Sequence, residues 1–272
     1  MNDIERGQLN LSAAEVYDEF YLPALFNAWT GPVVEAALIS SGDRVLDVAC
    51  GTGVLAIAAA EQVGPDGEVV GLDINEGMLA VAGKKSDVVE WRHGRAEALP
   101  FEEGQFDAVV SQFGLMFFED KQKAVNEMVR VLKPGGQLAV AVWDSLENTP
   151  GYAAVTRLLG RLFGREVADA LRAPYSLGDQ ERLESLFSVE GLESMRIVTV
   201  SGRAVFPSLS SWMYTDVKGW TLADKLDDEQ YERLLDAAEE ELVVFVEEGG
   251  QVSFDAPAHI ITATKTQTDP AA

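Results

Sequence analysis

Residues 45–53 read VLDVACGTG, and this stretch decides the fold of the chain. An apolar run with the character of a buried strand carries a carboxylate, Asp47, and passes directly into a glycine-rich turn. Glycines in such a turn let a ligand approach the backbone N–H groups that open the following helix. The pattern Gly51-x-Gly53-x-x-Ala56 therefore predicts an α/β fold with a nucleotide-type ligand at the end of this strand.

The acid in this strand discriminates between two kinds of ligand. A pyrophosphate, as in NAD, would meet the like charge of Asp47 at close range. S-adenosylmethionine has no phosphate and carries an ammonium and a sulfonium, which a carboxylate attracts. The next strand, residues 68–73, ends in Asp73, which can accept hydrogen bonds from both ribose hydroxyls of either ligand. The sequence therefore favours S-adenosyl-L-methionine as the cofactor.

Residues 40–143 contain four motifs in a fixed order. The glycine turn and Asp73 are followed by a strand, FDAVVS at 106–111, and by the segment VLKPGG at 131–136, which ends a helix before a further strand. In this order the motifs resemble those of class I S-adenosylmethionine-dependent methyltransferases, in the branch of quinone-biosynthesis and small-molecule enzymes called methyltransferase type 11. The resemblance implies methyl transfer to oxygen, nitrogen or carbon of a small acceptor.

Two other functions stay open at this point. An NAD-dependent oxidoreductase can use a related fold, although Asp47 argues against it. A regulator can bind S-adenosylmethionine through the same motif and perform no turnover.

Strand and helix patterns alternate between residues 44 and 143. Apolar strands interleaved with helices predict a Rossmann-like, doubly wound, mainly parallel sheet that is covered on both faces. The resemblance implies seven strands, the last two forming an antiparallel addition at the sheet edge, with the final strand at 258–264. The other strands are predicted at 44–49, 68–73, 88–93, 106–112 and 137–143, and the helices between them at 53–63, 75–85 and 120–132.

The segments that flank this core are predicted to form mainly helices that pack around it. Apolar and aromatic residues recur at helical spacing from 12 to 29, with a break or kink at Pro23, and a second helix is predicted at 32–39. The alternation stops after Trp143, which predicts a helical lid, and later elements are a strand at 193–200 and helices at 208–219 and 228–247. The resulting division has an N-terminal helical cap (1–40), a donor-binding core (41–143), the lid (144–192), a part that completes the sheet (193–265) and a disordered tail (266–272).

The resemblance assigns the donor site to the carboxyl edge of the sheet. Gly51, Thr52 and Gly53 bring backbone close to the methionine part of the donor, and Asp47 lies beneath it. The other predicted donor contacts are Ala49, Asp73, Ile74, Met78, Arg95, Ala96, Glu97, Gln112 and Tyr21.

The loop that contacts adenine departs from the family pattern. Related enzymes usually read Gly-Asp-Ala-Glu there, and the acid accepts the adenine amino group, whereas residues 94–97 of this chain read GRAE. An arginine cannot accept that hydrogen bond. We therefore expect adenine recognition to move to the backbone of Ala96, with Arg95 stacking on the base or turning to solvent.

Aromatic residues at the same edge predict an apolar or aromatic acceptor. Several follow the fourth strand, one ends the fifth, and others come from the flanking segments. The predicted acceptor pocket consists of Phe20, Phe113, Met116, Phe117, Trp143 and Trp212.

Methyl transfer is a direct displacement, so the protein needs at most a base beyond aligning the reactants. His259, with Phe254 and Asp255 on the loop before it, is the predicted base, because a neutral imidazole can take a proton at physiological pH. A structural role in the final strand is the alternative. His93 is assigned to packing or hydrogen bonding, and no cluster with metal-ligand spacing predicts a metal.

The composition restricts the partners. A formal net charge of -24, from 45 acidic and 21 basic residues, repels nucleic acid and anionic membranes. No apolar run reaches the about 20 residues that cross a bilayer, and the single cysteine, Cys50, excludes an intramolecular disulfide. We therefore expect an acidic, cytoplasmic protein, monomeric or homodimeric, that acts on a small molecule and neither binds nucleic acid nor inserts into a membrane.

Overall fold

Seven strands form the central sheet of the computed structural model, which describes residues 11–218, 222 and 225–267. The sheet has the order β3-β2-β1-β4-β5-β9-β6. Only the two pairs that include β9 are antiparallel, so the predicted fold class is confirmed. The strands are β1 (Arg44–Val48), β2 (Glu68–Asp73), β3 (Glu90–His93), β4 (Phe106–Gln112), β5 (Leu132–Trp143), β6 (Leu192–Val200), β7 (Arg203–Phe206), β8 (Val252–Asp255) and β9 (Ala258–Lys265).

Helices cover both faces of this sheet. Asn75, Asp120 and Asp179 each precede a helix and accept a hydrogen bond from a backbone N–H of its first turn, which fixes where that helix begins. Asp227 and Gln230 form a complete capping box at another start. The helices are α1 (Leu11–Val16), α2 (Thr30–Ala36), α3 (Val54–Val63), α4 (Glu76–Lys85), α5 (Lys121–Val131), α6 (Pro150–Phe163), α7 (Arg165–Arg172), α8 (Gln180–Phe187), α9 (Leu209–Lys218) and α10 (Asp228–Glu241).

The register of the inner strands positions the loops that form the site. β1 lies between β2 and β4, and Asp47 pairs with Gly71 on one side and Val110 on the other. Residues of β1 and β4 are mostly buried, as expected for parallel strands that are covered on both faces. The loops after β1, β2, β3 and β4 therefore meet at one edge, where open α/β sheets bind their ligands.

The segment before the sheet departs from a single kinked helix. After α1, residues Tyr17–Phe26 form a π-helix and Asn27–Trp29 a 3-10 turn. Pro23 lies inside the π-helix, where it lacks the N–H that a regular α-helix needs and its ring would meet the preceding turn. The wider π winding accommodates this residue, so Pro23 changes the type of helix and does not end it.

The C-terminal part contains a strand pair that the sequence did not predict. β7 and β8 form a separate antiparallel pair, with Arg203 opposite Asp255 and Phe206 opposite Val252. The prediction of a connecting loop for Phe254 and Asp255 was wrong, because both lie in β8. The predicted antiparallel addition at the sheet edge is confirmed: it consists of β9 and β6, with the reversed final strand β9 between β5 and β6. Across the described ranges, no helix has the length and apolar character needed to cross a bilayer.

Candidate active site

A cavity of about 130 Å³ lies at the carboxyl edge of the sheet. The loops after β1, β2, β3 and β4 form its walls, and Tyr17 of the π-helix closes one side. Phe118, from the aromatic segment that follows the fourth strand, also lines it. Glu119 lines it as well; sequence reasoning did not single it out, and its position directly after that segment was the available signal. The predicted site residues that line the cavity are Ala49, Gly51, Asp73, Ile74, Met78, Arg95, Ala96, Glu97, Gln112, Phe113 and Phe117.

The two glycines of the turn are required for different reasons. A Cβ at Gly51, whose φ is +55°, would meet nothing within 4 Å, so this backbone is open toward the cavity. A Cβ at Gly53, whose φ is +87°, would lie 2.3 Å from the indole of Trp91. A Cβ at Gly71 of β2 would meet the same indole at 2.5 Å. The absence of a side chain at Gly51 thus leaves room for a ligand beside the backbone, whereas its absence at Gly53 leaves room for the Trp91 indole.

Asp73 connects the glycine turn to the next loop. One carboxylate oxygen accepts the Gly51 N–H at 2.8 Å, and the other accepts the Asn75 N–H at 2.8 Å. Burial raises the pKa of Asp73, and these N–H groups lower it. The carboxylate lines the cavity, so it both orders the turn and faces a ligand.

Several polar groups beside the glycine turn are buried without hydrogen bonds. Both oxygens of Asp47 lack a hydrogen bond of ordinary geometry within the described residues, and so do the hydroxyls of Thr52 and Ser111 and Oε1 of Gln112. Burial, and then the neighbouring Asp73, raise the pKa of Asp47 to about 8, while the Ala56 backbone N–H lowers it. Unpaired buried polar atoms are costly, and an approaching cation or hydrogen-bond donor relieves that cost.

Arg95 holds the adenine loop against the loop that follows β4. Its Nη2 donates to Oε2 of Glu119 at 2.8 Å, and its Nε lies 3.6 Å from Oε2 of Glu97. The backbone N–H of Glu119 donates to Oε1 of Glu97 at 3.0 Å. The arginine is thus paired with two acids while its side chain stays exposed to solvent, and the buried Ala96 follows it in the cavity wall.

Two residues of the cavity wall have strained backbones. Ala49 and Phe113 have φ values of +61° and +56°, in the left-handed region that residues other than glycine rarely adopt. The Phe113 ring stacks on Trp143, with centroids 3.7 Å apart and planes 7° from parallel. Strain of this kind persists where surrounding structure enforces it and is common at ligand sites.

Some predicted residues lie outside the cavity lining. Trp143 supports Phe113 from behind, and Phe20 contacts the Tyr214 ring at 5.8 Å. Trp212 is fully buried and packs against Phe254, with ring centroids 4.7 Å apart. The predicted residues that do not line the cavity are Tyr21, Asp47, Thr52, Gly53, Phe20, Met116, Trp143, Trp212 and His259.

His259 lies at the carboxyl edge of the sheet but faces a second cleft. Its Nδ1 is 2.9 Å from Oγ1 of Thr199, and its Nε2 is 3.0 Å from the Gly178 carbonyl and 3.2 Å from Oδ1 of Asp144. The side chain is buried and both ring nitrogens are engaged. This geometry fits the structural alternative better than a base that faces the cavity.

The remaining candidates are accounted for locally. His93 places Nε2 3.0 Å from the Ile74 carbonyl. Burial raises the pKa of the Cys50 thiol, which favours the neutral thiol over a nucleophilic thiolate. Within the described part of the chain, no three or more His, Cys, Asp or Glu residues are grouped to hold a metal ion.

The fold and the site define a class of protein. A sheet of this order, an open glycine turn and buried, unpaired acid and amide oxygens fit a donor that brings positive charge to the end of β1. This is the architecture of a Rossmann-like S-adenosylmethionine-dependent methyltransferase.

The chain belongs to the ubiE/COQ5 methyltransferase family, whose profile matches residues 23–205. It is 36% identical over 192 residues to the demethylmenaquinone methyltransferase of Listeria monocytogenes serotype 4a, covering 65% of this chain and 81% of that protein. The enzyme of the same name from Staphylococcus carnosus is 33% identical over 188 residues, with 64% and 78% covered. The protein therefore methylates a small acceptor with S-adenosylmethionine, which decides against the two alternatives that the sequence left open.

Solved structures agree with this fold. The YcgJ protein of Bacillus subtilis superposes with a TM-score of 0.59 at 22% identity, covering 89% of this chain and 99% of that one. Phosphoethanolamine N-methyltransferase 2 of Haemonchus contortus gives a TM-score of 0.63 at 19% identity, with 97% and 59% covered. At these identities the similarity bears on the fold alone.

Proposed function

We propose that the acceptor is a quinol, a flat aromatic ring with hydroxyl groups, and that the methyl group goes to a ring carbon. The observation that carries this proposal is the aromatic wall of the cavity, formed by Phe113, Phe117 and Phe118 within the range of the family match. Two relatives over that range bear the name demethylmenaquinone methyltransferase, which describes a quinone lacking a methyl group.

The geometry of Phe113 supports a flat acceptor. Phe113 lines the cavity and its ring stacks on Trp143, so this pair gives the wall an aromatic surface against which a planar acceptor ring can pack. Aromatic rings gain about 0.5–1.5 kcal/mol from such pairs beyond area burial. The strained φ of Phe113 indicates that the surrounding structure maintains this orientation.

We also propose how the residues hold the donor. Asp73 accepts the ribose hydroxyls, the open backbone at Gly51 receives the methionine part, and Asp47 attracts the positive charge. Ala96 recognises adenine through its backbone, and the pairs that Arg95 makes with Glu97 and Glu119 hold that loop in place. When bound, the donor supplies an electrophilic methyl group on a sulfur that is a good leaving group.

The division into cap, core, lid and C-terminal part is a proposal as well. Residues 144–192 contain α6, α7 and α8, which lie beside the core. We propose that this segment opens and closes over the acceptor. A cytoplasmic location and a monomeric or dimeric state stay predictions.

The test is a product analysis. Purified protein, S-adenosylmethionine and a demethylated naphthoquinol under reducing conditions are expected to give a ring-methylated product and the demethylated donor in equal amounts, identified by mass spectrometry. The matched control is Phe113→Leu, which removes an aromatic ring from the cavity wall and leaves the glycine turn unchanged. A native protein that methylates phenols or amines but never the quinol contradicts the proposed acceptor.

A further inference from the structure

Gln112, the last residue of β4, has a buried oxygen without a partner. Oε1 of its amide makes no hydrogen bond of ordinary geometry within the described residues, and the residue lines the cavity. Asp47, Thr52 and Ser111 also have buried oxygens without hydrogen bonds in that part of the chain, but these three residues do not line the cavity. Of the four, Gln112 is therefore the one that is placed to pair its oxygen with a group of a bound molecule.

The nitrogen of this amide decides which way the group is turned. Nε2 donates a hydrogen bond to the Phe26 carbonyl at 3.2 Å. A carbonyl can only accept, so the nitrogen and not the oxygen of Gln112 has to face Phe26. The two atoms lie on opposite sides of the amide carbon, and Oε1 therefore points away from that carbonyl. The terminal torsion of a glutamine has a broad energy minimum, so a small rotation presents Oε1 to a group that binds in the cavity.

Gln112 lies on the aromatic side of the cavity. Its partner in the sheet is Ala141 of β5, two residues before Trp143, and the pairing of β4 with β1 ends earlier in the strand. The ring of Phe26, which holds the amide, packs on the rings of Phe113 and Trp143, with centroids 5.5 and 5.8 Å away. The amide is thus attached to the aromatic wall, against which the acceptor is proposed to pack.

The chemistry of an amide oxygen suits a neutral hydrogen-bond donor. It has no formal charge, and the positive charge of the methyl donor is proposed to meet the carboxylate of Asp47. The hydroxyl of a quinol can donate a hydrogen bond to Oε1 of Gln112. The carbonyl of the oxidised quinone can only accept, so it would face Oε1 with a like partial charge and leave that oxygen unpaired.

We propose that Oε1 of Gln112 accepts a hydrogen bond from the acceptor hydroxyl, and that this contact makes the protein select the reduced, hydroxyl-bearing form over the oxidised quinone. This inference rests on the proposed function. Gln112 is in this role a specificity-determining residue, which orients the acceptor ring against Phe113 and takes no proton. Binding of the hydroxyl removes the cost of a buried unpaired oxygen, and binding of the quinone leaves that cost in place.

The test compares the binding of two probes of nearly equal shape, unsubstituted naphthoquinol and naphthoquinone. Both are titrated by isothermal calorimetry, in the absence of oxygen, into native protein that is saturated with S-adenosylhomocysteine. The native protein is expected to bind the quinol at least about tenfold more tightly than the quinone, since an unpaired buried acceptor costs about 1–3 kcal/mol and 1.4 kcal/mol is a factor of about ten.

Gln112→Met replaces the amide by an apolar side chain of similar length. The preference for the quinol is expected to fall below about threefold, because the quinol loses its hydrogen bond and the quinone loses none. Affinity for S-adenosylhomocysteine is expected to stay within about twofold of the native value. Gln137→Met is the matched control and is expected to keep the native preference, because Gln137 does not line the cavity and its amide is hydrogen-bonded to the Gly135 carbonyl and the Thr264 hydroxyl.

Three results overturn the inference. A native protein that prefers the quinol by less than about threefold has no such contact. A Gln112→Met protein that keeps the native preference assigns the selection to other residues. A Gln112→Met protein whose affinity for S-adenosylhomocysteine falls more than about tenfold assigns Oε1 to the methyl donor. If Gln112→Met does not fold, Gln112→Ser, which also removes the amide, is measured in its place.

Parallel turnover measurements separate this inference from the proposed acceptor. Turnover of the quinol by a native protein that binds quinol and quinone equally supports the acceptor and rejects the role of Gln112. Turnover of phenols without turnover of the quinol overturns the quinol proposal. The binding comparison then uses naphthol and its methyl ether, which still test whether Oε1 accepts a hydroxyl. A native protein that binds none of these probes and methylates no acceptor contradicts both proposals.

Discussion

The carboxyl edge of the sheet has two buried polar regions, and they differ in whether their polar atoms form hydrogen bonds within the protein. Beside the glycine turn, Asp47, Thr52 and Ser111 are buried with oxygens that have no hydrogen bond of ordinary geometry within the described residues. At the other end of the same edge, His259 is equally buried but engages both ring nitrogens with Thr199 and with the segment around Gly178.

This difference separates a ligand site from a joint between elements. Burial without hydrogen bonds is unfavourable for these oxygens, and a ligand that brings positive charge or hydrogen-bond donors to this edge would relieve that cost. The paired histidine connects β6, β9 and the loop before α8, and it leaves no ring nitrogen for a substrate. Asp216 of α9 lies between these cases: its Oδ1 accepts hydrogen bonds from the Tyr21 and Tyr152 hydroxyls, and its Oδ2 has no hydrogen bond of ordinary geometry within the described residues.

The donor region should respond most strongly to loss of Asp73. Asp73→Ala is expected to weaken donor binding about 10- to 100-fold, or about 1.5–3 kcal/mol, because it removes charged hydrogen bonds to the ribose and the anchor of Gly51. Isothermal calorimetry with S-adenosylhomocysteine is the measurement. Asp107→Ala is the matched control, since Asp107 accepts the Arg44 backbone N–H and pairs with Lys133 far from the cavity. Equal affinities of native protein and Asp73→Ala would remove the basis of the donor site.

Substitution of His259 tests the other side of the comparison. His259→Ala is expected to lower the free energy of unfolding by about 1–3 kcal/mol, because it leaves buried partners unpaired, with donor affinity unchanged. Urea unfolding measures this, with His93→Ala as the exposed control. A turnover loss of about two orders of magnitude or more at an unchanged unfolding midpoint would instead make His259 the base that the sequence predicts.

The unpaired state of Asp47 predicts a pH dependence of donor binding. With a pKa of about 8, Asp47 holds a proton below that pH, and a bound cation lowers its pKa and expels the proton. Donor affinity is therefore expected to rise by up to about tenfold as pH increases from about 7 through 8. Calorimetry of native protein and Asp47→Asn isolates this contribution, because the variant should lack it. Identical pH profiles for the two proteins would show that the donor charge does not reach Asp47.

The smallest expected effect is the salt dependence of the melting temperature, which depends on the whole protein surface and not on either of the two regions. The 45 acidic residues against 21 basic ones repel one another, and added salt screens that repulsion. The melting temperature is therefore expected to rise by a few degrees with chloride concentration in a series of thermal melts. A flat or falling series would assign the acidic surface to solubility instead.

The central fold was predictable because its signals are local. β2 occupies the predicted range 68–73, and α4 and β4 begin or end within one residue of prediction. β7 and β8 escaped prediction because each has only four residues and its partner lies about fifty positions away in the chain. A strand of that length carries little periodicity, and its pairing is decided by contacts that the sequence does not display.

The same distinction applies to the site. The glycine turn and Asp73 were predictable, because each motif is contiguous in the chain. The pairs of Arg95 and the surroundings of Asp216 depend on elements that meet only in the folded protein. A signal for Asp216 was nevertheless present, since an acid between Trp212 and Val217 in an apolar helix face must find buried partners.

Trp91 constrains the residues at the glycine turn for a steric reason that does not involve the ligand. The indole is fixed by its N–H bond to the Ser86 carbonyl, 3.0 Å away, and it fills the space that side chains at Gly53 and Gly71 would need. A side chain at either glycine would therefore require a smaller residue at position 91. Gly51 differs, because no described atom crowds a Cβ there, and the constraints on it are its left-handed φ and the proposed donor. Loss of donor binding would therefore remove a constraint at Gly51 and leave the steric constraint that Trp91 places on Gly53.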